Sequence, residues 1–154
     1  MKRAFNVFSW AMIIIVAMTG CNKDNGENGK GKGVLKIKGN EYSITEANMY
    51  VGLTSPISSF YGRHLYFFNK EGKMAIQVTM SDSGFTSKTY TNDNTYMALG
   101  LFVDDEPESD IDNVVMVVKK IGNTYDIIIT GKTQEKGCEY ALTYKGIIAE
   151  GKHK

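Results

Sequence analysis

Residues 114–130 read VVMVVKKIGNTYDIIIT. Two β-prone runs, 114–121 and 124–130, flank Gly122 and Asn123, and a glycine-first two-residue turn supplies the positive φ that a twisted β-hairpin wants. The stretch is expected to be a hairpin. The same logic recurs upstream, where residues 34–38 and 41–45 flank Gly39 and Asn40. The strings GNEYSI at 39–44 and GNTYDI at 122–127 are nearly a repeat. Convergence on good hairpin chemistry accounts for six positions as well as duplication does, and we read them as convergent.

Between the two hairpins, residues 65–69 and 73–80 straddle a turn at Lys70, Glu71 and Gly72. The second run alternates, with Met74, Ile76, Val78 and Met80 on one face and Lys73, Ala75, Gln77 and Thr79 on the other, the pattern of a half-buried strand over a core. Residues 96–103 form another strand, and 138–148 close the chain after a turn at 134–137. On that closing strand Cys138, Tyr140, Leu142 and Tyr144 share one face, and Glu139, Thr143 and Lys145 the other. A 3.6-residue apolar stripe persists nowhere for three turns; residues 46–51 make one helical turn at most. Strands every 8 to 12 residues with turn punctuation predict an all-β fold, an antiparallel β-sandwich or barrel of about eight to ten strands, in a single domain over residues 34–154.

The N-terminus has a different character. Lys2 and Arg3 precede an apolar body at 5–18 that only Asn6 and Ser9 interrupt, the layout of a secretory signal peptide. As a helix, about 14 residues at 1.5 Å rise cover about 21 Å, short of a roughly 30 Å hydrocarbon core. The run ends in Met18, Thr19, Gly20 and Cys21. These four residues resemble the lipobox of bacterial lipoproteins, in which two small residues precede an obligatory cysteine; Met18 departs from the pattern, since Leu is usual there. The resemblance implies that residues 1–20 are a signal peptide cleaved between Gly20 and Cys21. It further implies a diacylglycerol group on the Cys21 sulfur and a palmitate-type acyl chain on its new amino terminus. At about 0.8 kcal/mol per buried CH₂, one chain binds marginally and two or more anchor stably.

After Cys21 comes NKDNGENGKGKG at 22–33, with four glycines and no apolar residue. It cannot pack, so residues 21–33 are expected to be the lipidated cysteine and a flexible tether, its twelve spacer residues spanning about 19 Å r.m.s.. The strand-turn-strand at 33–45, followed late in the chain by 119–129 and a tyrosine-containing closing strand, resembles small outer-membrane lipoproteins of the Bacteroidetes type, a group without an assigned activity. That resemblance implies a cell-envelope home, lipid-anchored at the outer membrane on its periplasmic face or at the cell surface. Asn22, rather than Asp, directly after Cys21 leans away from inner-membrane retention.

From Cys21 onward the chain holds 16 of its 18 bases, Lys2 and Arg3 being the others, and all 17 acids, a balance of about −1. Such a balance gives no footprint for nucleic acid and no basic patch for anionic lipid. With Cys21 lipidated, Cys138 has no intrachain disulfide partner and is expected to pack as a small apolar residue. Residues 104–112 carry six carboxylates in nine positions. Ca²⁺ takes six to eight oxygens, yet counting from Glu108 the sixth and twelfth positions are Asn113 and Lys119, which fails the EF-hand spacing. The stretch is read as a solvated loop, and no metal or cofactor is assigned. His64 and His153 are the only histidines. Neither sits in a Gly-x-Ser-x-Gly or His-Glu-x-x-His motif, so no catalytic residue is assigned and no enzyme activity is expected. His64 is read as a strand-end residue beside Arg63.

Phe60, Tyr61, Tyr66, Phe67 and Phe68 cluster in sequence, while the one tryptophan, Trp10, lies in the signal. Alternation separates Tyr66 and Phe68 from Leu65 and Phe67 on opposite faces of the strand; core packing is the expected use of these rings, with a sugar-stacking surface as the alternative. The expected function is that of a lipid-anchored binding or accessory module with a protein or glycan partner. The alternative is a lipocalin-like carrier of a small apolar ligand, with a barrel interior lined by Met74, Ile76 and Val78.

Overall fold

The computed structural model describes residues 29–53, 61–81, 84–103, 108–110, 113–133 and 137–152. These form eleven strands: β1 (Lys30–Ile37), β2 (Asn40–Leu53), β3 (Tyr61–Asn69), β4 (Met74–Met80), β5 (Lys88–Thr91), β6 (Met97–Leu101), β7 (Glu108–Asp110), β8 (Val115–Ile121), β9 (Thr124–Lys132), β10 (Glu139–Gly146) and β11 (Ala149–Lys152). The described residues contain no helix. All strands belong to one sheet in the order β5-β8-β9-β10-β1-β2-β3-β4-β6-β7, with β11 added beside β2. Only the β11–β2 pairing is parallel.

Curvature follows from connectivity. β5 lies at one end of the strand order and β6 next to the other, yet only residues 92–96 link them. Five extended residues reach roughly 18 Å, so the sheet must curl until its ends approach. The result is a nearly closed, barrel-like antiparallel sheet, the all-β architecture expected from the strand spacing.

Inward positions follow the period-2 rule. Tyr125, Ile127 and Ile129 of β9 and Tyr140, Leu142 and Tyr144 of β10 are buried, and with Leu35, Leu65, Phe67, Ile76, Val78 and Met116 they belong to one contiguous cluster. Burying each large side chain of this kind stabilises by about 1.5–3 kcal/mol relative to leaving it exposed.

The two hairpins close differently. Ile121 pairs with Thr124, and the turn at Gly122 and Asn123 has Gly122 at φ 59°, a glycine-first turn as expected. In the other, Ile37 pairs with Asn40, so the turn residues are Lys38 and Gly39. Both have positive φ, 52° and 80°, which is the type I′ pattern, and Asn40 already belongs to the strand. The similar hexapeptides therefore fold one residue out of phase with each other, consistent with convergence.

Four expectations need correction. Residues 46–51 are not a helical turn: β2 continues through them to Leu53, paired with β3. β4 does not alternate without interruption. Phe67 pairs with Ile76 but Phe68 with Met74, so Ala75 is an extra, bulged residue; Ala75 and Ile76 are both buried, whereas Met74 is half-buried. The closing segment is two strands, since β10 ends at Gly146 and residues 147–148 cross the start of β1, where the Ile147 amide donates to the Lys30 carbonyl at 3.1 Å. Finally, residues 30–33 belong to β1 and not to a spacer, with Gly31 opposite Gly146 and Gly33 opposite Tyr144.

Tyr144 is the reason for Gly31, while a Cβ on Gly33 would meet the Thr143 carbonyl oxygen. The Tyr144 hydroxyl lies 2.8 Å from the carbonyl oxygens of Gly29 and Ile147, and a Cβ on Gly31 would sit 2.5 Å from the ring. The Gly29 carbonyl also accepts the Ala47 amide at 2.8 Å. Chain entry into the domain is thus pinned at Gly29. Residues 1–28, with Gly20 and Cys21, lie outside the described residues, as do 104–107, 111–112 and His153. The middle of the acidic stretch is the short strand β7, paired with β6.

Candidate functional site: an aromatic row on the outer face of the sheet

β3 is an interior strand, flanked by β2 and β4. Its odd positions Leu65 and Phe67 are fully buried, so the pleat directs His64, Tyr66 and Phe68 to the outer face. Cross-strand partners complete that face: Tyr50 opposite His64, Asn48 opposite Tyr66 and Glu46 opposite Phe68 on β2, with Thr79, Gln77 and Met74 on β4.

The rings form a continuous row. Tyr66 meets Tyr50 edge-on, with centroids 5.6 Å apart and planes at 68°. It lies 6.4 Å from both His64 and Phe68, with interplanar angles of 23° and 29°. Edge-to-face and offset arrangements are the favoured geometries of aromatic quadrupoles. Tyr50, Tyr66 and Phe68 remain only half-buried. Partial burial, and then the neighbouring Tyr50, push the Tyr66 hydroxyl above the ordinary tyrosine value, so the phenol stays protonated and able to donate.

Polar side chains are interleaved with the rings and held by one another. His64 Nδ1 lies 3.1 Å from Thr79 Oγ1, Gln77 Nε2 donates to the same hydroxyl at 3.4 Å, and Asn48 Nδ2 donates to Glu46 Oε1 at 2.9 Å. His64 is 8% exposed; it is a nearly buried mid-strand residue in this network and not a strand end. Among the described residues no three His, Cys, Asp or Glu gather into a metal-binding group.

Beside the Phe68 end of the row is a groove of about 240 Å³ lined by Asn69, Glu71, Lys73, Met74 and Phe102 together with Tyr42, Ala75 and Val103, which belong to or pack against the core. Met74 joins the two, being cross-strand to Phe68 and part of the groove wall. The Ala75 bulge makes this possible by letting Met74 leave the core face. The turn beside it is rigid, because Asn69 Oδ1 accepts the amides of Glu71 and Lys73, each at 2.9 Å. At 240 Å³ the groove falls below the roughly 300–1,000 Å³ of drug-sized sites.

Of the other residues singled out from sequence, Cys138 is half-buried, its amide donating to Thr133 Oγ1 at 3.0 Å. It opens the strand of Tyr140, Leu142 and Tyr144 and stands apart from the aromatic row. Tyr50 was not identified from sequence. Its signal was the period-2 alternation of Ala47 and Met49, both buried, against Glu46, Asn48 and Tyr50. The chain matches no protein family, no curated protein and no solved structure.

Proposed function

We propose that the protein is a lipid-anchored binding module of the bacterial cell envelope, held at the outer membrane through acyl chains on Cys21 and engaging its partner through the outer face of β2, β3 and β4. The half-exposed row of Tyr50, Tyr66 and Phe68 carries this reading. Burying such rings against a partner recovers apolar area that folding left in contact with water. The module acts by binding and not by catalysis. Residues 22–28 serve as the tether between Cys21 and the pinned Gly29, seven residues spanning about 15 Å r.m.s. if they behave as a Gly-rich coil. Such a tether holds the domain near the membrane while leaving it free to turn.

The anchor is tested by metabolic labelling of the full-length protein with a radiolabelled fatty acid. We expect label and membrane association in the parent, and loss of both in Cys21→Ala. Label retained on Cys21→Ala overturns the assignment.

The curled sheet supports a second reading, a barrel carrier of a small apolar ligand. Ile76 and Val78, which would line its interior, are fully buried in the continuous core. Stoichiometric uptake of a fluorescent fatty acid would favour the carrier; the binding-module reading expects none.

A further inference from the structure

Within the binding-module reading, on which this inference rests, we propose that the ligand of the outer face is a neutral polysaccharide chain. It would lie across the row of Tyr50, Tyr66 and Phe68 and place one sugar unit in the groove beyond Met74.

Charge and chemistry select the occupant. Among the described residues the row has one ionised neighbour, Glu46, already bonded by Asn48, and the groove adds only the opposite charges of Glu71 and Lys73, 3.8 Å apart; the other ring neighbours are amides, a hydroxyl, a histidine and Met74. An anionic lipid surface or a nucleic acid would need several bases here, and the outer face of β3 from His64 to Phe68 offers none. Neutral polyols fit instead. A pyranose ring has one face of C–H groups, slightly positive, that rests on the negative face of an aromatic quadrupole. Its rim of hydroxyls needs donors and acceptors at the edges of that ring.

Gln77 and Thr79 provide them beside Tyr66, and His64 holds the threonine hydroxyl in place. An amide has two donor hydrogens and an acceptor oxygen, so Gln77 can bond a sugar hydroxyl in addition to Thr79. The rings repeat along one strand at centroid spacings of 6.4 Å. That repetition suits a ligand that itself repeats, more than a single small molecule. The groove is smaller than a drug-sized site, combines apolar walls at Met74 and Phe102 with polar groups at Glu71 and Lys73, and adjoins the row at Met74, the cross-strand partner of Phe68. It is suited to a single ring at one end of the chain.

The test is retardation of the full-length protein, solubilised in mild detergent, in native gels cast with an α-glucan, a mixed-linkage β-glucan or a galactomannan. We expect retardation by at least one of the three. Tyr66→Leu and Phe68→Leu, which keep apolar bulk but remove the ring face, should each weaken it about tenfold, a loss of about 1.4 kcal/mol. Thermal unfolding of both variants is measured alongside. Val117→Ser, on the outer face of β8, should leave retardation unchanged. Retardation by none of the three polysaccharides overturns the inference, and so does equal retardation of folded Tyr66→Leu and parent. If Tyr66→Leu does not fold, Phe68→Leu and Gln77→Ala decide by the same criterion. Should the parent show no retardation yet still take up acyl label at Cys21, the glycan assignment fails while the lipid-anchored reading stands.

Discussion

At the residue scale, Tyr144 shows what one side chain does for the fold. Its ring is buried in the core and its hydroxyl ties the first described residue, Gly29, to the turn after β10. Burial, the largest influence, pushes its ionisation well above the ordinary tyrosine value. The folded state therefore prefers the neutral phenol. Tyr144 stabilises fully at pH below about 10, and that contribution is lost as pH rises past the unfolded-state value toward the higher folded-state one. Tyr144→Phe should lose about 1–2 kcal/mol at pH 7, because a buried carbonyl is deprived of its donor. The variant should also show a shallower loss of stability between pH 10 and 12 than the parent. Thermal unfolding across that pH range checks both; an equally steep alkaline loss in Tyr144→Phe would refute the assignment. The inward position of Tyr144 was legible in the alternation of the closing strand. Its partner was not, because Gly29 lies 115 residues away in a stretch whose composition suggests coil.

At the scale of elements, the hairpins and the face of β3 were readable because turn chemistry and side-chain alternation act locally. Two features were not. Residues 46–51 contain Glu, Ala and Met, good helix formers, and their period-2 burial outweighs that propensity only once β3 and β11 are in place on either side. Residues 30–33 carry glycine for a reason outside the segment: β1 must approach β10 closely enough for the Tyr144 ring to pass. A glycine in a free spacer tolerates alanine. In β1, Gly31→Ala forces the Tyr144 ring to shift, so we expect a cost of about 1–3 kcal/mol in urea denaturation. A change within about 0.5 kcal/mol, ordinary for exposed sites, would mean that residue 31 lies in the spacer after all. The aromatic row was only half legible: alternation set Tyr66 and Phe68 apart, but core packing was their expected use, and the structure leaves both half-buried on the outer face. The Ala75 bulge, and the place of Tyr50 beside Tyr66, depend on cross-strand register, which no single strand specifies.

At the scale of the whole molecule, the sheet places its first strand in the middle. β1 lies between β2 and β10, so the first described strand and one of the last pair in the middle of the sheet. The barrel-like curl was anticipated only as one of two architectures, because the closing distance depends on which strands residues 92–96 connect. Removing β10 and β11 by stopping after Lys132 would strip one partner each from β1 and β9. We expect that truncated chain to be degraded rapidly by limited proteolysis under conditions that leave the full chain intact.

The central position of β1 also sets a schedule. A domain whose N-terminal strand must wait for a partner more than a hundred residues downstream has a high contact order and is expected to fold slowly for its size. It cannot complete its core until β10, more than a hundred residues after β1, has been made. For the exported lipoprotein proposed above, this delay would be an advantage. Such a polypeptide would stay unfolded, and so able to thread through a narrow export channel, until β10 had arrived on the far side.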